Sequence, residues 1–543
     1  MKILLTTLNS KFIHTNLAIR YLKESVKDLV DVDIREYTIN NQLDYILKDI
    51  YKNNYDAVFF STYIWNIYDI VKLCDNLKKV KPEIMIGLGG PEVTYDSENA
   101  MERYEFLDYI LCGEGELVFR DLVQYFLGNK NLEDVKGIVY RKDGKIVANE
   151  EMELLQNLDE IPSPYENLDV KEYENRIVYY ETSRGCPFNC QYCLSSAIKG
   201  LRYFSTDRVK RDLKNLIDAR VSQIKFIDRT FNANKKFAKE IMNFLMENDN
   251  GYTTYHFEVT AHLLDDDMLN FLKNCKEGLF QFEIGVQSTN QKTLDAVGRR
   301  DDFEKLSYVV KTIKSFRNIH QHLDLIAGLP YEGYGRFEQS FNDVFNLGIE
   351  QLQLGFLKMI KGTGMRYSAE KYGYRFKDYA PYEVLFNDFI SYDEMLKIKD
   401  IEEILETYYN SNNFPLSLEY IIKNYYSESP FKFFEEFSTY FEDMGYFHMA
   451  QGKNKLYKIL LDFYSEKINE ENDLFSEIVK YDYLSLGKIS TVPPIFNKIE
   501  ISNFKSRCHD FLHNVDNLKK YLPEFADTPT KYILKYIHFE PFK

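Results

Sequence analysis

Three of the seven cysteines crowd into the stretch ETSRGCPFNCQYCLS, residues 181–195, as Cys186, Cys190 and Cys193 in the spacing C-x3-C-x2-C. Thiolates are the ligands that iron–sulfur clusters take, and three close cysteines can hold three irons of a cubane cluster, leaving a fourth open to a substrate or cofactor. Gly185 and Pro187 bend the chain so that the thiols can converge. Zinc, the competing reading, wants a fourth Cys or His at knuckle spacing, and none follows locally.

A loop of this kind needs a strand to carry it, and the apolar residues 177–182 supply one. Further strands are expected at 224–227, 256–259, 280–286, 323–326 and 352–356, with helices such as 206–219 and 233–246 between them. Six such units over residues 171–365 make a partial (β/α)6 barrel, an architecture that places chemistry at the strand ends. Asp228, Glu258, His262, Glu283, Gln287 and Asp324 fall at or just after those ends.

Residues 1–145 also alternate, with strands expected at 2–7, 32–36, 57–60, 84–87 and 109–111 and a helix over 16–26. The pattern predicts a Rossmann-like α/β domain with a parallel sheet. Its ligand edge would be formed by loops at 9–15, 61–63 and 89–92. The one Trp, Trp65, follows the second loop and suits either a domain-interface core or a cofactor contact. Residues 146–170, with Ile161-Pro162-Ser163-Pro164, read as a linker.

Residues 366–543 are poor in glycine and rich in Tyr and Phe, and predict a mostly helical domain with helices near 394–409 and 431–441. The run 498–543 carries Lys505, Arg507, His509, His513, Lys519, Lys520, Lys531 and Lys535 among aromatics. That mixture suits RNA contacts or, more simply, an amphipathic helix pair.

Across the 543 residues, 45% hydrophobic content is globular, and a net charge of −16 argues against unselective polyanion binding. No apolar run spans a bilayer and no leader is expected, so no membrane partner is foreseen. Cys74, Cys112, Cys275 and Cys508 are scattered without a disulfide framework, which fits a reducing cytoplasm.

The C-x3-C-x2-C loop after a strand, with Tyr192 before the last cysteine, resembles the radical S-adenosylmethionine (SAM) superfamily. The resemblance implies a [4Fe–4S] cluster on Cys186, Cys190 and Cys193, SAM on the open iron, and reductive cleavage of SAM to a hydrogen-abstracting radical. It also implies an anaerobic setting and a flavodoxin- or ferredoxin-type electron donor. Tyr192, Glu258, Gln287 and Arg299 match positions that contact SAM in that family. The Gly-Gly-Glu segment that binds the SAM amino group is not found.

The pieces LNSKFIHTNLAIRYL (8–22), FFSTYIWN (59–66), GLGGPEVT (87–94) and CGEGE (112–116) resemble the cobalamin-binding domain ahead of many radical SAM barrels. That likeness implies cobalamin contacts at Asn9, Ser10, His14, Ser61, Thr62, Tyr63, Gly89, Gly90, Pro91, Glu92, Gly113 and Glu114. The D-x-H-x-x-G motif of cobalt-ligating histidines is absent, so His14 is not expected to bind cobalt. The implied activity is methyl transfer to an unactivated carbon or phosphorus. A radical rearrangement or oxidation without methylation, and a non-catalytic cobalamin- or redox-sensing protein, are the alternatives. The substrate, whether small molecule, peptide or tRNA, the catalytic side chains and the oligomeric state are not legible.

Overall fold

In the computed structural model the described residues are 1–543 apart from 167, 169, 199, 469–472, 488–491, 497, 498, 500, 535, 538 and 540–543. The chain divides into two compact units, Met1–Met395 and Leu396–Lys543.

The first unit holds two large sheets and two short two-stranded ones. The N-terminal sheet contains β1 (Ile3–Asn9), β2 (Val32–Thr38), β3 (Ala57–Ser61), β4 (Met85–Gly89), β5 (Tyr109–Leu111), β6 (Ile138–Lys142) and β7 (Lys145–Ala148), in the order β2-β1-β3-β4-β5-β6-β7. The first five strands run parallel, and every residue of β1 and β3 is buried, as expected where helices cover both faces. The antiparallel hairpin β6–β7 was not expected, and the linker expected from 146 therefore begins inside β7. Its signal was present: Asp143-Gly144, both at positive φ, is a two-residue hairpin turn.

The second sheet contains β8 (Ile177–Tyr180), β11 (Gln223–Phe226), β12 (Thr254–Glu258), β13 (Phe280–Gln287), β14 (His320–Ala327) and β15 (Gln351–Phe356). Its parallel order is β15-β14-β13-β12-β11-β8, the partial barrel predicted. Strict alternation builds it. Along β13, Phe280, Phe282, Ile284 and Val286 are buried, while Gln281, Glu283, Gly285 and Gln287 lie on the other face. A short hairpin, β9 (Ser183–Gly185) with β10 (Leu201–Tyr203), follows β8.

The two sheets share a core. Leu4, Val58 and Leu88 of the first belong to the same apolar cluster as Val297, Leu329, Leu357, Met359, Tyr374 and Tyr382. Residues 366–395 therefore pack with the barrel, and the compact division falls at 395/396. The aromatic composition changes before the packing does.

The second unit is helical throughout its described elements, with Phe437 and Phe463 ring centroids 4.6 Å apart at its centre. In the C-terminal helices Leu512, Leu518 and Ile533 are buried, while Lys505, Arg507, His509, His513, Lys519, Lys520 and Lys531 are exposed. This is the amphipathic arrangement. Lys498, Lys535 and Lys543 lie outside the described residues. Among the described residues no helix is long and apolar enough to cross a membrane.

Candidate functional site

The cysteine loop hangs between fixed points. Gly185 has φ +97°, and a Cβ there would stand 2.0 Å from the Gly200 carbonyl oxygen, so only glycine allows β9 to close on β10. Beyond the hairpin, the Gln191 amide donates to the Val297 carbonyl at 2.8 Å, and the Met365 amide donates to the Gln191 carbonyl at 2.8 Å. All three thiols face one open-mouthed cavity of about 670 Å³. Burial pushes the Cys190 thiol up, while Arg299 and Tyr192 favour its thiolate. Among the described residues no three His, Cys, Asp or Glu side chains form a single-ion site. The three cysteines line one cavity together, a donor set that suits a cluster whose irons each take a different thiolate.

Tyr192, Glu258, Gln287 and Arg299 line the same cavity, with Glu283, Asp324 and Arg229. The structure thus brings the three cysteines and Tyr192, Glu258, Gln287 and Arg299 to one cavity. A β-bulge between Gly285 and Gln287 leaves Gln287 at φ +71° and turns its side chain inward, where Oε1 is buried without a partner. Arg299 donates to Tyr192 Oη at 3.3 Å, to Asp301 at 2.9 Å and to the Gly285 carbonyl.

Two carboxyls of this cavity are driven apart. Burial, reinforced by Glu283 and Asp228, pushes Glu258 up to about 7 against the pull of Arg229 and Lys225. Burial also opposes the charge of Glu283, but His256 at 2.9 Å and Lys225 at 3.0 Å outweigh it and hold that carboxyl at about 2. Asp324 is raised well above the usual range by burial and by both glutamates. Its Oδ1 is buried, with His322 Nε2 3.4 Å away.

Asp228 and His262, also expected at the mouth, are turned away. Asp228 accepts from the Thr182 amide at 3.0 Å and from the Thr182 and Ser183 hydroxyls at 2.6 and 2.5 Å, pinning β8 to β11. His262 is bound to Asp301 at 3.0 Å.

A second cavity, of about 710 Å³, opens at the carboxyl edge of the N-terminal sheet. Ser61, Tyr63, Gly89, Gly90, Pro91 and Gly113 are on its wall, as expected. Gly90, at φ +104°, would place a Cβ 2.5 Å from the Thr62 carbonyl oxygen, so its glycine serves the loop itself. Thr62, Glu92 and Glu114 stand behind the wall. The Thr62 hydroxyl donates to the Gly89 carbonyl at 2.7 Å. Glu92 accepts from Tyr382 and pairs with Lys361 at 3.2 Å. Glu114 binds Arg202 and Arg184.

Asn9, Ser10 and His14 are not on that wall. Their loop instead runs beside β8. The Ile177 amide donates to the Ile13 carbonyl at 2.7 Å, the Thr15 hydroxyl donates to the Ile177 carbonyl at 2.9 Å, and Asn9 donates to the His14 carbonyl at 2.9 Å. His14 Nδ1 shares a 2.7 Å hydrogen bond with Tyr179 Oη, and burial followed by Lys11, Lys225 and Arg176 lowers its pKa. The helix Leu17–Ser25 fills the vacated place with Ala18, Ile19 and Leu22, and Glu116 is the one charged residue on the wall. Trp65 is half exposed and stacks on Tyr63 at 4.3 Å, outside any core.

Sequence reasoning missed Glu116, Lys225, His256, Arg184 and Arg202. Glu116 is in the CGEGE stretch, two residues after Glu114. His256 follows from strand alternation, two residues before Glu258, whereas Lys225, three residues before Asp228, carries no such signal.

The chain matches family models over three stretches: the B12 binding domain over residues 3–123, the radical SAM superfamily over 180–344, and a protein of unknown function (DUF4080) over 370–543. An uncharacterized methyltransferase of Pyrococcus horikoshii, PH0819, is 28% identical over 359 residues, 64% of this chain and 76% of that protein. The cobalamin-dependent radical SAM methyltransferase TokK of Streptomyces tokunonensis is 26% identical over 322 residues, and the match spans 54% of this chain and less than half, 45%, of TokK. Among solved structures, the cobalamin-dependent S-adenosylmethionine radical enzyme OxsB with aqua-cobalamin bound aligns with a TM-score of 0.64 at 15% identity, over 97% of this chain and 84% of its own. At that identity the likeness is one of fold.

Proposed function

The chain belongs to the cobalamin-binding radical SAM family, and on that premise we propose that it methylates an unactivated carbon or phosphorus of a substrate held at the barrel cavity. The observation that supports this most is the pairing of two unlike cavities in one compact unit, one carrying three thiols and the other walled by glycine and apolar side chains.

The residues present fit the family's three groups. Cys186, Cys190 and Cys193 are free thiols lining one cavity, the donor set of a [4Fe–4S] cluster. Gln287 Oε1, buried and without a hydrogen-bond partner, awaits donors of the kind that SAM carries on its amino group and ribose. The N-terminal cavity offers backbone at Gly89, Gly90 and Gly113 and apolar faces at Leu5, Ile19 and Leu111, which suit the broad face of a corrin. Together these groups supply hydrogen-atom abstraction and a methyl carrier.

The chain's own share is electrostatic and steric. Arg299, buried beside Cys190, favours the thiolate and offers positive charge where a SAM carboxylate would approach. Glu258, raised to about 7 by burial, would accept the ribose hydroxyls of SAM and be stabilised by them. Glu283, already held by Lys225 and His256, keeps its charge without a ligand. His14, bound to Tyr179 and off the cavity wall, acts between the sheets rather than on cobalt. Electrons would come from a flavodoxin- or ferredoxin-type donor.

The test is anaerobic turnover of the reconstituted protein with SAM labelled in its methyl group, using extracts of the native host as the substrate source. S-adenosylhomocysteine together with 5′-deoxyadenosine, and a product carrying the label, are expected. A product formed with 5′-deoxyadenosine but without label or S-adenosylhomocysteine rules out methyl transfer in favour of rearrangement or oxidation.

A further inference from the structure

The two cavities are joined by one buried group of charges. Arg184 lies two residues before Cys186. Its guanidinium reaches Glu116 at 2.5 Å, Glu181 at 2.8 Å and Glu114 at 3.3 Å. Glu116 is on the wall of the N-terminal cavity, and Cys186 is on the wall of the barrel cavity. Arg202 sits directly opposite Arg184 across the β9–β10 pair and holds Glu114 from the other side, while also donating to the Leu155 carbonyl at 2.6 Å. Two guanidiniums facing each other would repel. Glu114, which pairs with both, turns that repulsion into a clamp, and Glu116 and Glu181 hold Arg184 on its other side.

The connection to the cysteine is stiff. Only Gly185 separates Arg184 from Cys186, and its Cβ-free approach to Gly200 leaves that backbone no room to move. A second charged junction of the two sheets is different. There Arg20 and Arg176 pair with the buried Glu36 at 2.9 and 2.8 Å, at the opposite end of β8 and away from both cavity walls.

From this we infer that Arg184 is a positioning residue that sets the separation of the two cofactor sites, by tying Glu116 of the cobalamin cavity to the backbone that presents Cys186. The inference rests on the reading that both cavities hold their family's cofactors. It does not rest on methyl transfer. A fork that binds three carboxylates fixes direction as well as distance, which lysine in its place cannot do.

The experiment uses the full chain reconstituted with iron, sulfide and cobalamin. Arg184→Met and Arg184→Lys are compared with Arg176→Met, which loosens the other junction. Iron and cobalamin contents are measured first. The magnetic interaction between Co(II) and the reduced cluster is then read by electron paramagnetic resonance, and SAM-dependent turnover is followed.

Arg184→Met should retain both cofactors, show an altered cobalt–cluster interaction, and lose roughly 10- to 100-fold in kcat at unchanged KM for SAM. Arg184→Lys should show a smaller change of the same kind, and Arg176→Met should leave the interaction as it was. An unaltered interaction in Arg184→Met with both cofactors bound overturns the proposal. If that variant does not fold, Arg184→Lys decides by the same criterion. Should the parent make no methylated product yet show the altered interaction on substitution, the proposed reaction falls and this inference stands.

Discussion

The two cavities of the first unit solve opposite problems. The N-terminal one is walled by glycine backbone and apolar side chains, with Glu116 its one charge. The barrel cavity carries Arg229, Glu258, Glu283, Arg299 and Asp324 beside three thiols. The first gains contact by leaving out side chains, so that backbone and flat apolar surface meet a large ligand. The second concentrates charge where burial makes each unmet group costly, and so it is poised to be completed by ligands. Changes in the first cavity should act through space, and changes in the second through charge.

The sharpest division of the two should come from the cysteines. Replacing Cys186, Cys190 and Cys193 together by Ala is expected to abolish iron binding and SAM cleavage while leaving cobalamin uptake, read from its visible spectrum, intact. Loss of cobalamin as well would show that the two sites are one cooperative structure.

Glu258→Gln tests the charge argument inside the barrel. The folded-state pKa of Glu258, about 7, is above its ordinary 4.5, so the folded protein resists ionising it. That cost begins as pH rises through 4.5 and is complete above 7, where it amounts to about 3 kcal/mol. The variant should therefore raise the Tm of the ligand-free protein at pH 8 and leave it unchanged near pH 4. It should also weaken SAM binding by 10-fold or more, about 1.4 kcal/mol per tenfold. An equal Tm at pH 8 would mean that the carboxyl ionises freely.

The space argument is tested at neighbouring glycines. A Cβ at Gly89 meets nothing closer than Leu111 at 3.7 Å, so Gly89→Val folds and its methyls enter the cavity. A fall of about tenfold in cobalamin affinity is expected with iron content unchanged. Gly90→Ala, whose Cβ strikes the Thr62 carbonyl at a left-handed φ, should instead cost about 1–3 kcal/mol of stability. Denaturant midpoints separate the two cases.

The smallest effect is expected at His14. With Nδ1 bound to Tyr179, His14→Ala should cost about 1 kcal/mol and leave the Co(II) resonance without change in nitrogen splitting. Splitting that disappears in the variant would make His14 a cobalt ligand.

What could be read without the fold was whatever depends on short spacing. The C-x3-C-x2-C loop, the strand that carries it and the alternation that aims Glu258 and Glu283 inward all lie within a few residues of their causes. The Asp143-Gly144 turn was legible by the same rule and was missed. Tertiary structure decided the rest. Glu258 and Glu283 are alike in sequence terms, and only the arrival of Lys225 and His256 beside one of them separates their charges. The loop at residues 9–15 left the cavity because Ile177, far along the chain, offered it a hydrogen-bonding edge. The union of Arg184 with Glu116 spans 68 residues. Ligand sets and strand faces are local geometry, repeating every two to four residues. Which buried charge meets which partner is settled only when distant segments compete for the same low-dielectric space, and no local pattern records the outcome.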